Sequence, residues 1–323
     1  MAQYTVRELS EGVHVFGPHA IDFWAGNFAP LRNRFAQVAD AMEDKSSEDW
    51  ANAQRLIMQI SMDRAEVDAL PNEDRLTWLV NMPVVELTPA SSGLLVYSPV
   101  PLDDAGTLQA ALDELGPVKV VVAPMGGHTS GLASFRAAYP DAIFLCSRGG
   151  GFLGMNIIEQ HPEIGFHLGL SDESSIAKDE VLSALLGDDF EVEVTQDNAL
   201  FEIILYHRPS RTVLSADTIY KTDAQGAGPG PGGPVNCYLS PPWFASAYQI
   251  LNLDPSPNRT LPDNRVFLAR HAKFNRVGLI ASLRRVLSWD IDWLLCSHTD
   301  PLTGSQAKQA VRNSWGWLLD EDD

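Results

Sequence analysis

Three polar side chains stand just past apolar, strand-like runs: His128 after Val118–Ala123, Asp217 after Thr212–Ser215, and His298 after Trp293–Cys296. In open α/β sheets ligands gather at the carboxyl ends of strands, where loops lead into helix amino termini. Two imidazoles and one carboxylate converging from three strand ends would make a metal site. Such a set suits zinc with a position left for water, or non-haem Fe(II) on two histidines and a carboxylate. The bland alternative is that each residue merely caps a loop, the commoner fate of a single strand-end histidine. Asp300, two residues past His298, is a candidate proton acceptor or orienting partner, with a helix N-cap as its simpler role.

Other residues offer weaker chemistry. His271, Lys273 and Arg276 form a basic island in an acidic chain, suited to a substrate carboxylate or phosphate, or simply to pairing with surface acids. Trp243 and Phe244, with Phe23 and Trp24, sit beside turns and are candidates for lining a substrate cavity. Arg148 and the three glycines after it could cradle an anion, but they lack the Lys-Ser/Thr of a phosphate-binding loop. His207, Arg208 and Arg211 read as a charged turn between two strands. No G-x-S-x-G elbow supports Ser-His-Asp catalysis, and Cys146 and Cys296 end apolar strands as packing residues.

The elements that must position these groups alternate along the chain. Residues 1–80 read as a mostly helical extension: Val13–Phe16 suggests a short strand, and 46–70 a helix with Trp50, Ala53, Leu56, Ile57 and Ile60 on one face and Ser47 at its start. From Met82 the period becomes that of strands, with a hairpin over 82–97, a helix over Thr107–Leu115 stopped by Gly116-Pro117, and a buried strand at Val118–Ala123. Further strands are predicted at 142–146, 201–206, Thr212–Ser215 and Trp293–Cys296, and helices at 275–287 and Ser305–Leu319. Interleaved strands and helices predict an α/β domain with a mixed sheet over 81–323. The stretch 226–234, rich in Gly and Pro, has the composition of a loop and would rim the pocket after Asp217.

The chain has 323 residues, 45% hydrophobic and 20% charged, which excludes a disordered chain, a coiled coil and a collagen-like fibre. Lys+Arg minus Asp+Glu is 23 − 42 = −19, so duplexes and anionic membranes are unfavourable partners, and a small-molecule substrate is expected. Cys146, Cys237 and Cys296 make no CxxC pair, which fits a reducing compartment. With a polar amino terminus and no apolar run near the roughly 20 residues of a membrane span, a soluble cytoplasmic protein is expected. The last helix, with Trp315 and Trp317, is a candidate for packing on a second copy in a homo-oligomer.

These stretches carry a resemblance. Asn81–Leu87, the run from Gly93 to Leu102, Val122–His128, His207–Asp217 and Ser297–Pro301 together resemble the metallo-β-lactamase-like superfamily, in a branch known only as a domain of unknown function. The resemblance covers about three quarters of the chain and implies an αβ/βα sandwich with metal at one edge of the strand ends. The family signature, H-x-H-x-D-H with a later His, Asp and His, is degenerate here. His128 falls on the last histidine of the first motif, Gly127 on its aspartate, and Met125 and Ala123 on its first two histidines. Asp217 matches the bridging aspartate and His298 the final histidine, while Glu202, or less well His167, is offered for the middle one. The resemblance therefore implies at most one divalent ion, zinc or iron, on His128, Asp217 and His298, with Glu202 or Asp300 completing the site or managing protons. It implies a hydrolase, with a mononuclear Fe(II) oxygenase and a metal-free enzyme or binding protein as the alternatives.

Overall fold

Burial of Val13, Val15 and Phe16 draws the start of the chain into a sheet. The computed structural model describes residues 5–22, 42–71, 77–88, 93–147, 156–170, 178–195, 201–219, 239–240 and 276–319, with a few further positions at 32–40 and 74–75. Strands β1 (Thr5–Ser10) and β2 (Val13–Asp22) pair antiparallel across a two-residue turn in which Gly12 holds φ at 70°, a value glycine adopts without steric cost. The helical stretch that follows is two helices rather than one. In α1 (Glu48–Gln59) the Ser47 side chain accepts from the Trp50 amide, and Ala53 and Leu56 turn inward. The chain then breaks, because Asp63 starts α2 (Arg64–Asp68) with a capping box closed by Glu66.

β3 (Thr77–Glu86) and β4 (Leu94–Tyr97) form the expected antiparallel pair. Two parallel crossovers follow: β4 through α3 (Thr107–Leu115) to β5 (Val118–Ala123), and β5 through α4 (Leu132–Ala138) to β6 (Ile143–Ser147). Tyr139, just after α4, donates to Asp113 of α3 at 3.0 Å, so both crossover helices lie on one face of the sheet. A short α5 (Ile157–Gln160) leads to β7 (Leu168–Leu170), which completes the order β1-β2-β3-β4-β5-β6-β7. After α6 (Glu180–Leu186), β8 (Phe190–Val194), β9 (Ile203–His207) and β10 (Thr212–Ser215) run as an antiparallel meander. The two-residue β11 (Leu239–Ser240) pairs with β3. Helix α7 (Arg276–Ser288), β12 (Trp293–Cys296), β13 (Leu302–Thr303) and α8 (Ser305–Leu319) end the chain. The second sheet has the order β13-β12-β10-β9-β8.

Contacts divide the chain into two units, one of Met1–His19, Val80–Tyr220 and His271–Asp323, the other of Ala20–Leu79 and Lys221–Arg270. β1 and most of β2 fall in the first of these through their strand pairing, and β2 also through its buried Val13, Val15 and Phe16. Within the first unit the two sheets are tied together by hydrogen bonds at one end of the strands. The Tyr97 hydroxyl donates to the Ile203 carbonyl at 2.6 Å, and the Ile203 amide to the Pro124 carbonyl at 2.9 Å. The Asn81 amide and side chain donate to the carbonyls of Ser297 and Thr299, at 2.6 and 2.8 Å. Among the described residues no helix is long and apolar enough to cross a membrane.

Candidate metal centre

β10 and β12 are parallel neighbours with Ser215 opposite Cys296, so Asp217 and His298, each two residues further on, leave adjacent strand ends in the same direction. His128 arrives from the other sheet, in the turn between β5 and α4, where its amide donates to the Met125 carbonyl at 3.1 Å. The result is a buried triangle. Asp217 Oδ1 lies 3.1 Å from Nε2 of His128 and 3.1 Å from Nε2 of His298, and the two Nε2 atoms are 3.3 Å apart. Their ring centroids are 5.1 Å apart at an interplanar angle of 48°. All three side chains are buried, His298 to 1% exposure.

The donor set fits a small divalent ion. Bonds of roughly 2.0–2.2 Å in octahedral to tetrahedral geometry place neighbouring donor atoms roughly 2.8–3.6 Å apart, and the three edges fall in that range. Ser98 Oγ lies 2.6 Å from Nδ1 of His128. In the tautomer whose Nδ1–H donates to Ser98, Nε2 is a bare lone pair facing the Asp217 oxygen, an arrangement that a cation between them relieves. Burial works to raise the Asp217 carboxyl, but His128 and His298 outweigh it and hold Asp217 below the usual carboxylate range. These three residues could hold a metal ion, and among the described residues they form the one such group of His, Cys, Asp and Glu.

Glu202, proposed from sequence to complete the site, stands beside it in another role. Its Oε1 accepts from Ser215 Oγ at 2.7 Å and the Ala216 amide at 2.8 Å, and its Oε2 from the amides of Asp217 and Thr218 at 2.8 and 2.6 Å. Both oxygens are thus taken by the turn that carries Asp217. Burial pushes the Glu202 carboxyl above its ordinary value, and the hydrogen bonds from this turn oppose the shift. Asp300 is not brought to the triangle: it is half exposed, with Oδ1 3.8 Å from Nη2 of Arg7, and α8 starts too late for Asp300 to cap it. His167 lies 3.2 Å from Asp179 instead. Trp315 of α8 turns inward, donating from Nε1 to the Thr218 carbonyl at 2.7 Å. His271, Lys273, Trp243, the glycines after Arg148 and the 226–234 stretch lie outside the described residues.

Sequence reasoning missed Ser98 and Asn81. Ser98 is buried at the end of β4 with φ at 58°, a conformation that a sequence does not announce for serine. Asn81 is a polar residue inside an apolar strand, a signal that a buried partner must exist.

No protein-family model matches the chain, and no curated relative matches it. Solved structures do match. A metallo-β-lactamase from Erythrobacter litoralis, with β-mercaptoethanol in its active site, superposes with a TM-score of 0.50 at 12% identity, covering 99% of this chain and 98% of its own. TMB-1 gives 0.52 at 8% identity over 100% of both chains, and the DIM-1 metallo-β-lactamase exposed to ceftazidime gives 0.50 at 8% identity over 99% and 98%. At such identities the likeness is one of fold. The chain has the metallo-β-lactamase fold, an αβ/βα sandwich, and its buried triangle sits at the strand ends where the two sheets meet.

Proposed function

We propose that this chain is a metal-dependent enzyme acting on a small molecule, a hydrolase with one divalent ion on His128, Asp217 and His298. The observation that carries the reading is the buried triangle of two imidazole nitrogens and one carboxylate oxygen with edges of 3.1, 3.1 and 3.3 Å. A bound ion would supply Lewis-acid chemistry, activating water and polarising the bond to be cleaved. The protein's own part is to set the donors. Asp217 brings the negative charge, Ser98 holds the His128 ring from behind, and Asn81 anchors the segment carrying His298. Ala123, Met125 and Gly127, which the resemblance aligns with three further ligands, have no groups to hold a second hard cation, so the site is mononuclear. This supports placing the chain in a branch of the superfamily with a degenerate motif.

Two histidines and one carboxylate are equally the donor set of non-haem iron enzymes, which makes a mononuclear Fe(II) enzyme the second reading. The net charge of −19 supports a small substrate over nucleic acid or an anionic membrane, and the cysteine usage supports a cytoplasmic location. Elemental analysis of the purified protein beside a His128→Ala, His298→Ala double variant tests the proposal. About one equivalent of metal, lost in the variant, is the expected result, with zinc pointing to hydrolysis and iron to oxygen chemistry. Two folded proteins that both fail to take up either metal would sink it.

A further inference from the structure

We infer that Glu202 is the positioning residue of this centre: its carboxylate gathers the turn 215–218 around itself and so fixes the direction in which Asp217 leaves the chain. The inference rests on the metal reading above and adds the device that holds its one anionic donor in place. Three successive amides, those of Ala216, Asp217 and Thr218, and the Ser215 hydroxyl all point at the two oxygens of Glu202, at 2.6–2.8 Å. Consecutive backbone amides converging on one anion form a nest, and a nest specifies the φ and ψ of the residues that build it. Asp217 is the middle residue of this one. From the other side of the turn the Trp315 indole pins the Thr218 carbonyl at 2.7 Å. Held on both sides, the Asp217 carboxylate places Oδ1 at 3.1 Å from both imidazoles.

Glu202 is itself held at the entrance of β9, where the Thr195 hydroxyl accepts its amide at 2.8 Å and the next residue, Ile203, binds Tyr97 and Pro124 of the first sheet. The nest therefore carries the position of the first sheet, which supplies His128, to the turn of the second, which supplies Asp217. A buried carboxylate with only a structural task would lower stability when changed, but would leave the geometry at the metal as it was.

The test is a Co(II) titration followed by visible absorption, since the d–d bands report coordination geometry. Glu202→Gln keeps the shape of the side chain but presents an NH₂ group to one pair of the four donors, whichever way the amide is turned. We expect Glu202→Gln to bind Co(II) at least tenfold more weakly, as changes in the partners that orient ligands do, and to shift the bands. Glu193→Gln is the control. It alters another buried glutamate of the same sheet, bound to Ser282 and Arg285, and should lower the melting temperature while leaving affinity and bands unchanged. If wild type shows no Co(II) bands, the metal reading fails and this inference with it. A wild-type signal that Glu202→Gln reproduces at equal affinity overturns the inference alone. Should Glu202→Gln not fold, Ser215→Ala decides: it removes one donor of the four and should move the bands in part, and unchanged bands would overturn the inference.

Discussion

Ser98 Oγ sits 2.6 Å from Nδ1 of His128, and Ser98 makes that contact from a left-handed backbone conformation with φ at 58°. Its own amide donates to the Val122 carbonyl at 3.0 Å, so the end of β4 is locked to β5 at the point where the chain turns toward His128. A non-glycine residue in this region costs about 1–2 kcal/mol. The contact with a metal-ligand candidate is what the strain sustains.

Two substitutions separate the strain from the hydrogen bond. Ser98→Ala keeps the left-handed backbone and strands a buried imidazole nitrogen, so stability should fall by about 1–3 kcal/mol and metal affinity by at least tenfold. Ser98→Gly should lose the same affinity yet be roughly 1 kcal/mol more stable than Ser98→Ala, because glycine accepts positive φ. Urea unfolding and a Zn(II) competition assay give both quantities. Greater stability in the alanine variant would contradict the strain.

Trp315→Phe removes the indole donor from the Thr218 carbonyl while keeping an aromatic ring in the core. Leaving that carbonyl unsatisfied costs about 1–3 kcal/mol, and the turn carrying Asp217 loses one of its two supports. Thermal unfolding should show the loss of stability, and the competition assay a weaker metal site. A variant with normal metal affinity would show that the Glu202 side of the turn is sufficient.

The pH dependence of stability has a marked buried contributor in His207. Burial lowers its imidazole to about 4 against the opposing charge of Asp189, and the ring packs on Phe190 with centroids 4.8 Å apart and Nδ1 2.7 Å from Ser210 Oγ. His19 is likewise lowered to about 4, chiefly by burial. The folded chain thus keeps these rings neutral where the unfolded chain, with an ordinary value of about 6.5, takes up protons. Stability therefore falls as the pH drops from about 6.5 toward 4, and neither group alters it above that window. His207→Gln should reduce the stability lost by the metal-free protein between pH 7 and pH 5 by about 2 kcal/mol. Urea titrations at the two pH values check it, and an unchanged difference would rule out a buried neutral His207.

Much of this architecture is written locally. Thr107–Leu115, Val118–Ala123, Thr212–Ser215, Trp293–Cys296 and Ser305–Leu319 have the bounds their apolar spacing predicts, because each buries one stripe or run against a core. Edge elements are less legible: β1 buries none of its residues, so Thr5–Ser10 becomes a strand only by pairing with β2. The single helix read over 46–70 splits because Asp63 offers a second start.

Which side chains can bind metal, and that each follows an apolar strand, is legible along the chain, since residue chemistry and strand periodicity are both local. Which of them meet depends on how the strands pair and the sheets pack. The register that sets Ser215 opposite Cys296 aims Asp217 and His298 together, whereas Asp300, two residues past His298, lies half exposed beside Arg7. The parts of Ser98 and Glu202 were settled the same way. A backbone turned to φ 58° and a carboxylate enclosed by four donors arise from contacts across 13–30 residues of chain. Such contacts exist only once the two sheets have packed, because a buried polar group must take whatever partner the fold brings within reach.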